Sequence, residues 1–350
     1  MSSDKPILGI IGGGQLGSML CQAAKKLNIS TTILTDDLHA PAQNFCDALV
    51  HSDYKDSSAL EKFAKTCDYI TFEFENIPFE ILEQISAITK INPNPNINKI
   101  VQNRFTEKNF LKTLGIATTS YTFIKSKIDI EKNQNLLPGI LKTCTLGYDG
   151  KGQHVISSME DVKDDWCFSS DYILEKFIDL KQEISVIITR YSDGGFSIFE
   201  PIENIHKEQI LNTSVIPANI NSEICDEAKT IAKKISEKLK YIGTMCVEFF
   251  IDKENKLYVN EIAPRVHNSG HLTINAFNVS QFESHVRAVC GLEKIELQKK
   301  FDAKMVNIIG DEINEYRGKP LNKNQFLFDY QKKEIKDKRK MGHITTLLDT

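Results

Sequence analysis

The stretch VEFFIDKENKLYVNE, residues 247–261, predicts a β-hairpin in the last third of the chain. Both of its arms are rich in β-branched and aromatic residues, which antiparallel strands favour. A two-residue turn at Glu254 and Asn255 would place Glu248 directly opposite Glu261. Like charges that face each other across a ladder destabilise it, so a divalent cation between the two carboxylates would explain the pair. A solvated pair and a register slipped by one residue are the alternatives.

A dense polar loop follows the second arm directly. It carries five side chains that can form hydrogen bonds: Arg265, His267, Asn268, Ser269 and His271. Because functional residues concentrate in loops, this loop is predicted to face the same cleft as the two glutamates. The spacing of His267 and His271 is that of a metal pair on a helix, but Gly270 argues against a helix there.

The first residues predict one βαβ unit of a doubly wound sheet. A strand at Ile7–Ile11 is followed by a glycine loop, a helix from Ser18 to Leu27 and a second strand at Thr31–Thr35. The loop fits G-x-G-x-x-G and so favours a dinucleotide site, although the motif alone is weak. A tight turn that binds nothing and a phosphate or small-substrate loop are the other interpretations, and Gln15 favours the last of them.

A second glycine loop at residues 147–153 lies between two predicted strands. Its sequence, GYDGKGQ, lacks the order of a P-loop. Three glycines and Lys151, with Lys142 on the strand before them, predict a mobile flap that closes over phosphates. A hairpin loop without a ligand is the alternative.

The composition is that of a globular protein of two or three domains, with 350 residues, 41% hydrophobic and 26% charged. A net charge of −4 and the lack of a long apolar run predict binding to neither nucleic acid nor membrane. Eight scattered cysteines without a C-x-x-C pair predict a reduced, cytoplasmic protein without a zinc site. The basic tail segment Lys332–Lys340 reads as a solvated face when taken alone.

Six blocks of sequence together resemble the ATP-grasp superfamily and, within it, the 5-(carboxyamino)imidazole ribonucleotide synthases. The blocks are GGGQLG at 12–17, FEFENIP at 72–78, GYDGKGQ at 147–153, EKFI at 175–178, NEIAPRVHNSGH at 260–271 and RKMGH at 339–343. The fold class that this resemblance implies is α/β and α+β. It has a Rossmann-like pre-ATP-grasp domain at 1–100, a helical connector at 101–118, an α+β lid at 119–177 and a C-terminal antiparallel-sheet domain at 178–350.

The resemblance implies an ATP-dependent carbon–nitrogen ligase of de novo purine biosynthesis. ATP would convert bicarbonate to carboxyphosphate, and the carboxyl group would pass to the amine of 5-aminoimidazole ribonucleotide. The implied cofactors are ATP and Mg²⁺, with Mn²⁺ as a substitute, and the implied assembly is a homodimer. The alternatives are a formate-dependent glycinamide ribonucleotide transformylase, an NAD-binding oxidoreductase and a nucleotide-binding regulator without catalysis.

The same resemblance assigns roles by position. For ATP it implies Arg104, Lys142, Gly147, Tyr148, Asp149, Gly150, Lys151, Gly152, Gln153, Glu175, Lys176, Phe177, Ile178, Glu183, His206, Asn260 and Glu261. For the ribonucleotide it implies Gln15, Leu16, Glu73, Asn76, Arg265, His267, Ser269, Lys332 and Arg339. Glu248 and Glu261 match the magnesium ligands.

Three residues are predicted to be catalytic. Arg265 would hold bicarbonate and stabilise the transferring phosphoryl group. Asp149 would orient the amine or accept its proton, and Lys332 would hold the phosphate of the ribonucleotide or neighbouring groups. Lys332 and Lys333 are neighbours in the sequence, and the resemblance does not decide which of them is the matching lysine.

Overall fold

A computed structural model describes residues 5–147, 152–163 and 170–348. Its first sheet has four parallel strands in the order β3-β2-β1-β4. The strands and helices of this part are β1 (Ile7–Ile11), α1 (Gln15–Lys26), β2 (Ser30–Thr35), β3 (Ala48–His51), α2 (Ser57–Thr66), β4 (Tyr69–Phe72) and α3 (Phe79–Ser86). The apolar run of β1 is almost wholly buried, as a strand covered by helices on both faces requires.

Two short helices connect this sheet to the rest of the chain. They are α4 (Asn96–Val101) and α5 (Arg104–Thr113). The side chain of Asn103 caps α5 by accepting hydrogen bonds from the backbone N–H groups of Phe105 and Thr106. The cap fixes where α5 begins, and α5 carries Arg104, Glu107 and Lys108 toward the centre of the molecule.

A small antiparallel sheet follows, in the order β5-β8-β6-β7. Its elements are β5 (Tyr121–Ile124), α6 (Lys127–Lys132), β6 (Gly139–Thr143), β7 (Gln153–Ile156) and β8 (Tyr172–Lys176). It has its own apolar core, which includes Ile124, Leu141 and Leu174. A small α+β unit was predicted here, although the predicted domain boundaries themselves stay predictions.

The remaining strands form one nine-stranded sheet. Its elements in chain order are β9 (Leu180–Arg190), β10 (Phe196–Ile198), β11 (Ile202–Lys207), β12 (Ile210–Ile216), α7 (Ser222–Lys238), β13 (Gly243–Asp252), β14 (Leu257–Ala263), α8 (Thr273–Ala276), α9 (Gln281–Val289), β15 (Asp302–Ile309), β16 (Gln325–Asp329) and β17 (Lys340–Leu348). The strand order is β14-β13-β9-β11-β12-β15-β17-β16, with β10 beside β9. All of its pairings are antiparallel. The predicted fold class is therefore confirmed.

The hairpin of β13 and β14 pairs Glu248 with Glu261, as the sequence predicts. The predicted two-residue turn is wrong, because Ile251 pairs with Leu257 and Asp252 receives the N–H of Asn255. Asn255 takes the left-handed conformation, with φ of 65°. A bulge between Glu248 and Phe249 then shifts the ladder by one residue and restores the predicted pairing of the glutamates.

Helix α1 begins at Gln15, three residues before the predicted start at Ser18. The earlier start has a physical cause, because a carboxylate from another strand satisfies the N–H groups of its first turn, as described below. Within the described residues, no helix is both long and apolar enough to cross a bilayer.

Candidate active site

One cleft of about 750 Å³ is lined by residues of the two antiparallel sheets and by residues of α1 and the loops that follow strands of the parallel sheet. It brings together most of the predicted site residues that the structure describes. These are Gln15, Leu16, Glu73, Asn76, Arg104, Lys142, Gly147, Gln153, Glu183, His206, Glu248, Asn260, Glu261, Arg265, His267, Lys332 and Arg339. Residues predicted for ATP and residues predicted for the ribonucleotide thus share one continuous space.

The remaining predicted site residues are not among the described residues that line this cleft. Gly152, Glu175 and Ser269 are not among the described residues that line the cleft. The segment Lys176–Ile178 lines a second cavity of about 350 Å³ beside the turn of the hairpin. Tyr148, Asp149, Gly150 and Lys151 lie outside the described residues. The roles predicted for all of these residues stay predictions.

Glu248 and Glu261 both line the cleft. Arg104 Nη1 lies 3.1 Å from Glu261 Oε2, and His267 Nε2 lies 3.1 Å from Glu248 Oε1. Burial and the neighbouring charge of Glu261 raise the pKa of Glu248 to about 8. Two facing carboxylates that repel each other in a cleft are a donor set that fits Mg²⁺, which prefers oxygen ligands.

The side chain of Glu73 fills the first glycine loop. Its carboxylate accepts hydrogen bonds from the backbone N–H groups of Gly14 and Gly17, the second at 2.5 Å. A Cβ on Gly14 would lie 2.7 Å from Glu73 Oε1, so this close approach requires glycine. A dinucleotide pyrophosphate would need the same N–H groups. The loop is therefore already an anion site for the chain's own carboxylate, which argues against the NAD interpretation.

Arg265 forms a two-pronged ion pair with Glu75. Glu75 is not among the predicted site residues. Arg265 Nε contacts Glu75 Oε2, and Arg265 Nη2 lies 3.1 Å from Glu75 Oε1. Although burial raises the pKa of Glu75, the guanidinium outweighs it and the net pKa lies below the ordinary value. Glu75 lies two residues after Glu73 in the loop that follows β4, and its position at the carboxyl end of a parallel strand was a signal that could have assigned it to the cleft.

A second missed residue, Glu107 on α5, also lines the cleft. Its Oε1 accepts the backbone N–H of Ile262 at 2.6 Å, one residue beyond Glu261. Burial, together with the charge of Glu261, raises the pKa of Glu107 to about 8. A buried acid in the middle of an amphipathic helix was the sequence signal, but only the fold shows that it reaches β14.

The two lysines of the tail have different surroundings. Lys332 Nζ lies 2.7 Å from both Gln15 Oε1 and the carbonyl oxygen of Lys340, and it lines the cleft. Lys333 Nζ is exposed and lies 3.2 Å from His39 Nε2. The structure therefore favours Lys332 as the lysine that belongs to the cleft.

A buried charge cluster supports the lid side of the cleft. Glu175 Oε2 lies 3.0 Å from Lys142 Nζ and 3.5 Å from Lys108 Nζ, and all three side chains are almost fully buried. Lys108, which was left out of the predicted site, also donates to Thr118 and Thr119. Burial opposes the charge of Glu175, but Lys142 and Lys108 outweigh it and lower its pKa to about 2.

We expect Glu175→Gln to destabilise the protein by about 3–5 kcal/mol, because it leaves two buried ammonium groups without their counter-charge. The contribution of the ionised Glu175 side chain to the free energy of unfolding is present above its unfolded-state pKa near 4.5. This contribution is lost as the pH falls toward 2. Urea unfolding across that pH range measures both effects. Glu61→Gln, at an exposed pair with Lys65, is the control and should change stability little.

The architecture and the cleft define the ATP-grasp class of proteins. Family models match the chain in order: the ribonucleotide synthetase preATP-grasp domain at residues 6–102, the ATP-grasp domain at 109–282 and the phosphoribosylaminoimidazole carboxylase C-terminal domain at 303–350. The chain is 40% identical over 346 residues to an N5-carboxyaminoimidazole ribonucleotide synthase of Brucella melitensis, covering 97% of this chain and 96% of the relative. The chain belongs to the N5-carboxyaminoimidazole ribonucleotide synthase family.

Solved structures agree with this assignment. The N5-carboxyaminoimidazole synthetase of Staphylococcus aureus complexed with ADP matches with a TM-score of 0.93 and 37% identity, covering 99% of this chain and 94% of that chain. The enzyme of Aspergillus clavatus in complex with ADP and 5-aminoimidazole ribonucleotide matches with a TM-score of 0.88 and 29% identity, covering 99% of this chain and 95% of that chain.

Proposed function

We propose that this protein uses ATP and bicarbonate to carboxylate 5-aminoimidazole ribonucleotide in purine biosynthesis. Bicarbonate oxygen attacks the γ-phosphorus of ATP to give carboxyphosphate and ADP. The exocyclic amine of the ribonucleotide then takes the carboxyl group, losing a proton, while phosphate leaves. The products are ADP, phosphate and 5-(carboxyamino)imidazole ribonucleotide. The observation that carries the proposal is the single cleft shared by the two sets of predicted residues.

The chain's own residues divide the work within this cleft. Arg104 and Lys142 line the cleft and would contact the ATP phosphates, and Gly14, Gln15 and Lys332 line the same cleft and would contact the ribonucleotide. Arg265, oriented by Glu75, supplies a fixed guanidinium to this cleft. A preorganised cation of this kind stabilises charge as it develops on the transferring phosphoryl group.

Glu248 and Glu261 are the residues that would hold Mg²⁺, with Mn²⁺ as a substitute. When bound, the cation offsets the negative charge of the ATP phosphates during phosphoryl transfer. The observation that supports this assignment is the direct pairing of Glu248 with Glu261 in the cleft, and the raised pKa of Glu248 is the direction expected for two such facing carboxylates.

The first test is ADP release from Mg·ATP with 5-aminoimidazole ribonucleotide, with and without bicarbonate. We expect one ADP for each carbamate formed, and a fall to background when bicarbonate is removed. The control replaces the ribonucleotide by glycinamide ribonucleotide and bicarbonate by formate. Turnover only in this control would keep the nucleotide site and refute the proposed substrate.

Asp149→Asn is expected to reduce carboxylation of the amine more than it reduces ADP release, because carboxyphosphate would still form and would then hydrolyse. The measurement is the ratio of carbamate to ADP in a single assay. A ratio that stays at one in the variant would remove Asp149 from the transfer step. The side chain lies outside the described residues, so its role rests on the resemblance of its sequence block.

We further propose that the protein is a cytoplasmic homodimer. The seven cysteines that the structure describes are all free thiols, which is typical of proteins in a reducing compartment. Sedimentation equilibrium of the purified protein measures the assembly directly, and a monomer mass at micromolar concentration would refute the dimer.

A further inference from the structure

A line of buried hydrogen bonds runs through the nine-stranded sheet and ends at the polar loop. Ser214 Oγ lies 2.9 Å from Asn204 Oδ1, and Asn204 Nδ2 lies 2.9 Å from Ser185 Oγ. Ser185 Oγ then lies 2.8 Å from Ser269 Oγ, which is 2.8 Å from His267 Nδ1. The three serines are completely buried and Asn204 nearly so. Two residues of this line, Ser269 and His267, match predicted substrate positions, whereas Ser214, Asn204 and Ser185 do not.

The direction of the line is fixed at one end by the backbone. The N–H of Ser269, which can only donate, points at His267 Nδ1 at 3.3 Å. His267 Nδ1 is therefore an acceptor and carries no proton. The hydroxyl of Ser269 must donate to the same atom, and its oxygen must accept the proton of Ser185. Ser185 in turn accepts from Asn204.

We propose that Ser185 and Asn204 act through Ser269 as positioning residues that hold His267 in the tautomer protonated on Nε2. The ring proton of His267 then points at Glu248 Oε1, 3.1 Å away, so that His267 donates to this carboxylate. One oxygen of Glu248 is thereby fixed, and the other is left for a cation. This consequence for the metal rests on the proposed function, whereas the tautomer does not.

The proposed tautomer also bears on a neighbouring thiol, Cys246. Cys246, Glu248 and His267 each offer one ligand atom, and these atoms lie within 4.8 Å of one another. Zinc would require a bare Nε2 and a thiolate. The line of hydrogen bonds keeps the proton on Nε2, so His267 offers no bare nitrogen on the side of Glu248.

The tautomer can be observed without substrates or catalysis. We expect ¹⁵N-histidine spectra of the full chain to show His267 with a bare Nδ1 and a protonated Nε2, the signal being assigned by its loss in His267→Gln. In the Ser185→Ala and Ser269→Ala double variant, Nδ1 loses the hydroxyl contact at 2.8 Å and keeps only the longer backbone N–H contact at 3.3 Å. Because a hydrogen bond weakens as it lengthens, a second tautomer should appear. Ser284→Ala, which removes a buried hydroxyl with no hydrogen-bond partner among the described residues, is the control and should leave the signal unchanged.

The response of two His267 variants to Mg²⁺ then distinguishes the roles of the two ring nitrogens. The amide nitrogen of Gln reaches the place of Nε2, whereas that of Asn reaches only the place of Nδ1. We expect His267→Asn to raise the Mg²⁺ concentration for half-maximal thermal stabilisation by about tenfold or more, and His267→Gln to raise it less. A protonated Nδ1 in the native protein, an unchanged single tautomer in the double variant, or an Asn variant equal to the Gln variant would each overturn the proposal. None of these results depends on which substrate the enzyme carboxylates.

Discussion

Glu248→Gln is expected to lower ATP turnover by about a thousandfold without unfolding the protein. The amide keeps the shape of the side chain but cannot replace a charged oxygen ligand. Losing several kcal/mol of charge stabilisation in phosphoryl transfer costs a factor of ten for each 1.36 kcal/mol. The variant also removes the repulsion between Glu248 and Glu261, so the stability of the metal-free protein should stay the same or rise.

Two measurements check this expectation. Steady-state ADP release gives the loss of turnover, and thermal unfolding gives the response to Mg²⁺ without ATP. Mg²⁺ should raise the melting temperature of the native protein and have little effect on the variant. Glu254→Gln, at an exposed position in the turn of the same hairpin, is the matched control and should respond as the native protein does. Full turnover in Glu248→Gln would remove the pair from metal binding.

Arg265→Ala should reduce bicarbonate-dependent ADP release by about 10²–10³-fold, the cost of removing one preorganised group that stabilises developing charge. Arg265→Lys should recover little of this loss, because an ammonium group cannot form the two-pronged contact with Glu75. ADP release at saturating bicarbonate separates weaker bicarbonate binding from a slower chemical step.

Arg317 offers a matched control for that series. Its guanidinium forms the same two-pronged pair with Asp329, at 2.6 and 3.0 Å, on an exposed part of the C-terminal sheet. Arg317→Ala removes the same chemistry away from the cleft and should leave turnover near the native value. If Arg265→Ala also retained bicarbonate-dependent turnover, its proposed role would be wrong.

The hairpin shows what a strand pattern can predict and what it misses. Alternation and residue type give the two strands and the facing glutamates correctly. The turn was wrong because Asn255 adopts a left-handed conformation and the loop takes an extra residue. The bulge next to Glu248 cancels the one-residue change of register that the longer loop causes. The hydrophobic pattern of the sequence predicts neither the loop length nor the bulge. The correct pairing therefore came from two errors that offset each other.

The sequence pattern could not predict contacts between residues that lie far apart in the chain. Arg265 and Glu75 are 190 residues apart, and Glu107 meets Ile262 across 155. Short sequence blocks predict that such residues belong to a site. Which side chains contact each other depends on how the separate sheets pack against one another, and the sequence blocks do not give that packing. The glycine loop is the clearest case, because its motif favoured a pyrophosphate while the fold supplies Glu73 instead.

The position of β17 inside the nine-stranded sheet has a consequence for the chain's resistance to aggregation. This last strand lies between β15 and β16, and it covers the hydrogen-bonding edge of β15 along eight residue pairs. A chain cut before Lys340 would leave that edge open and release β16 as well. Open strand edges template association with other chains. The pairing of β17 with β15 therefore closes an edge at which copies of this protein would otherwise associate through their strands.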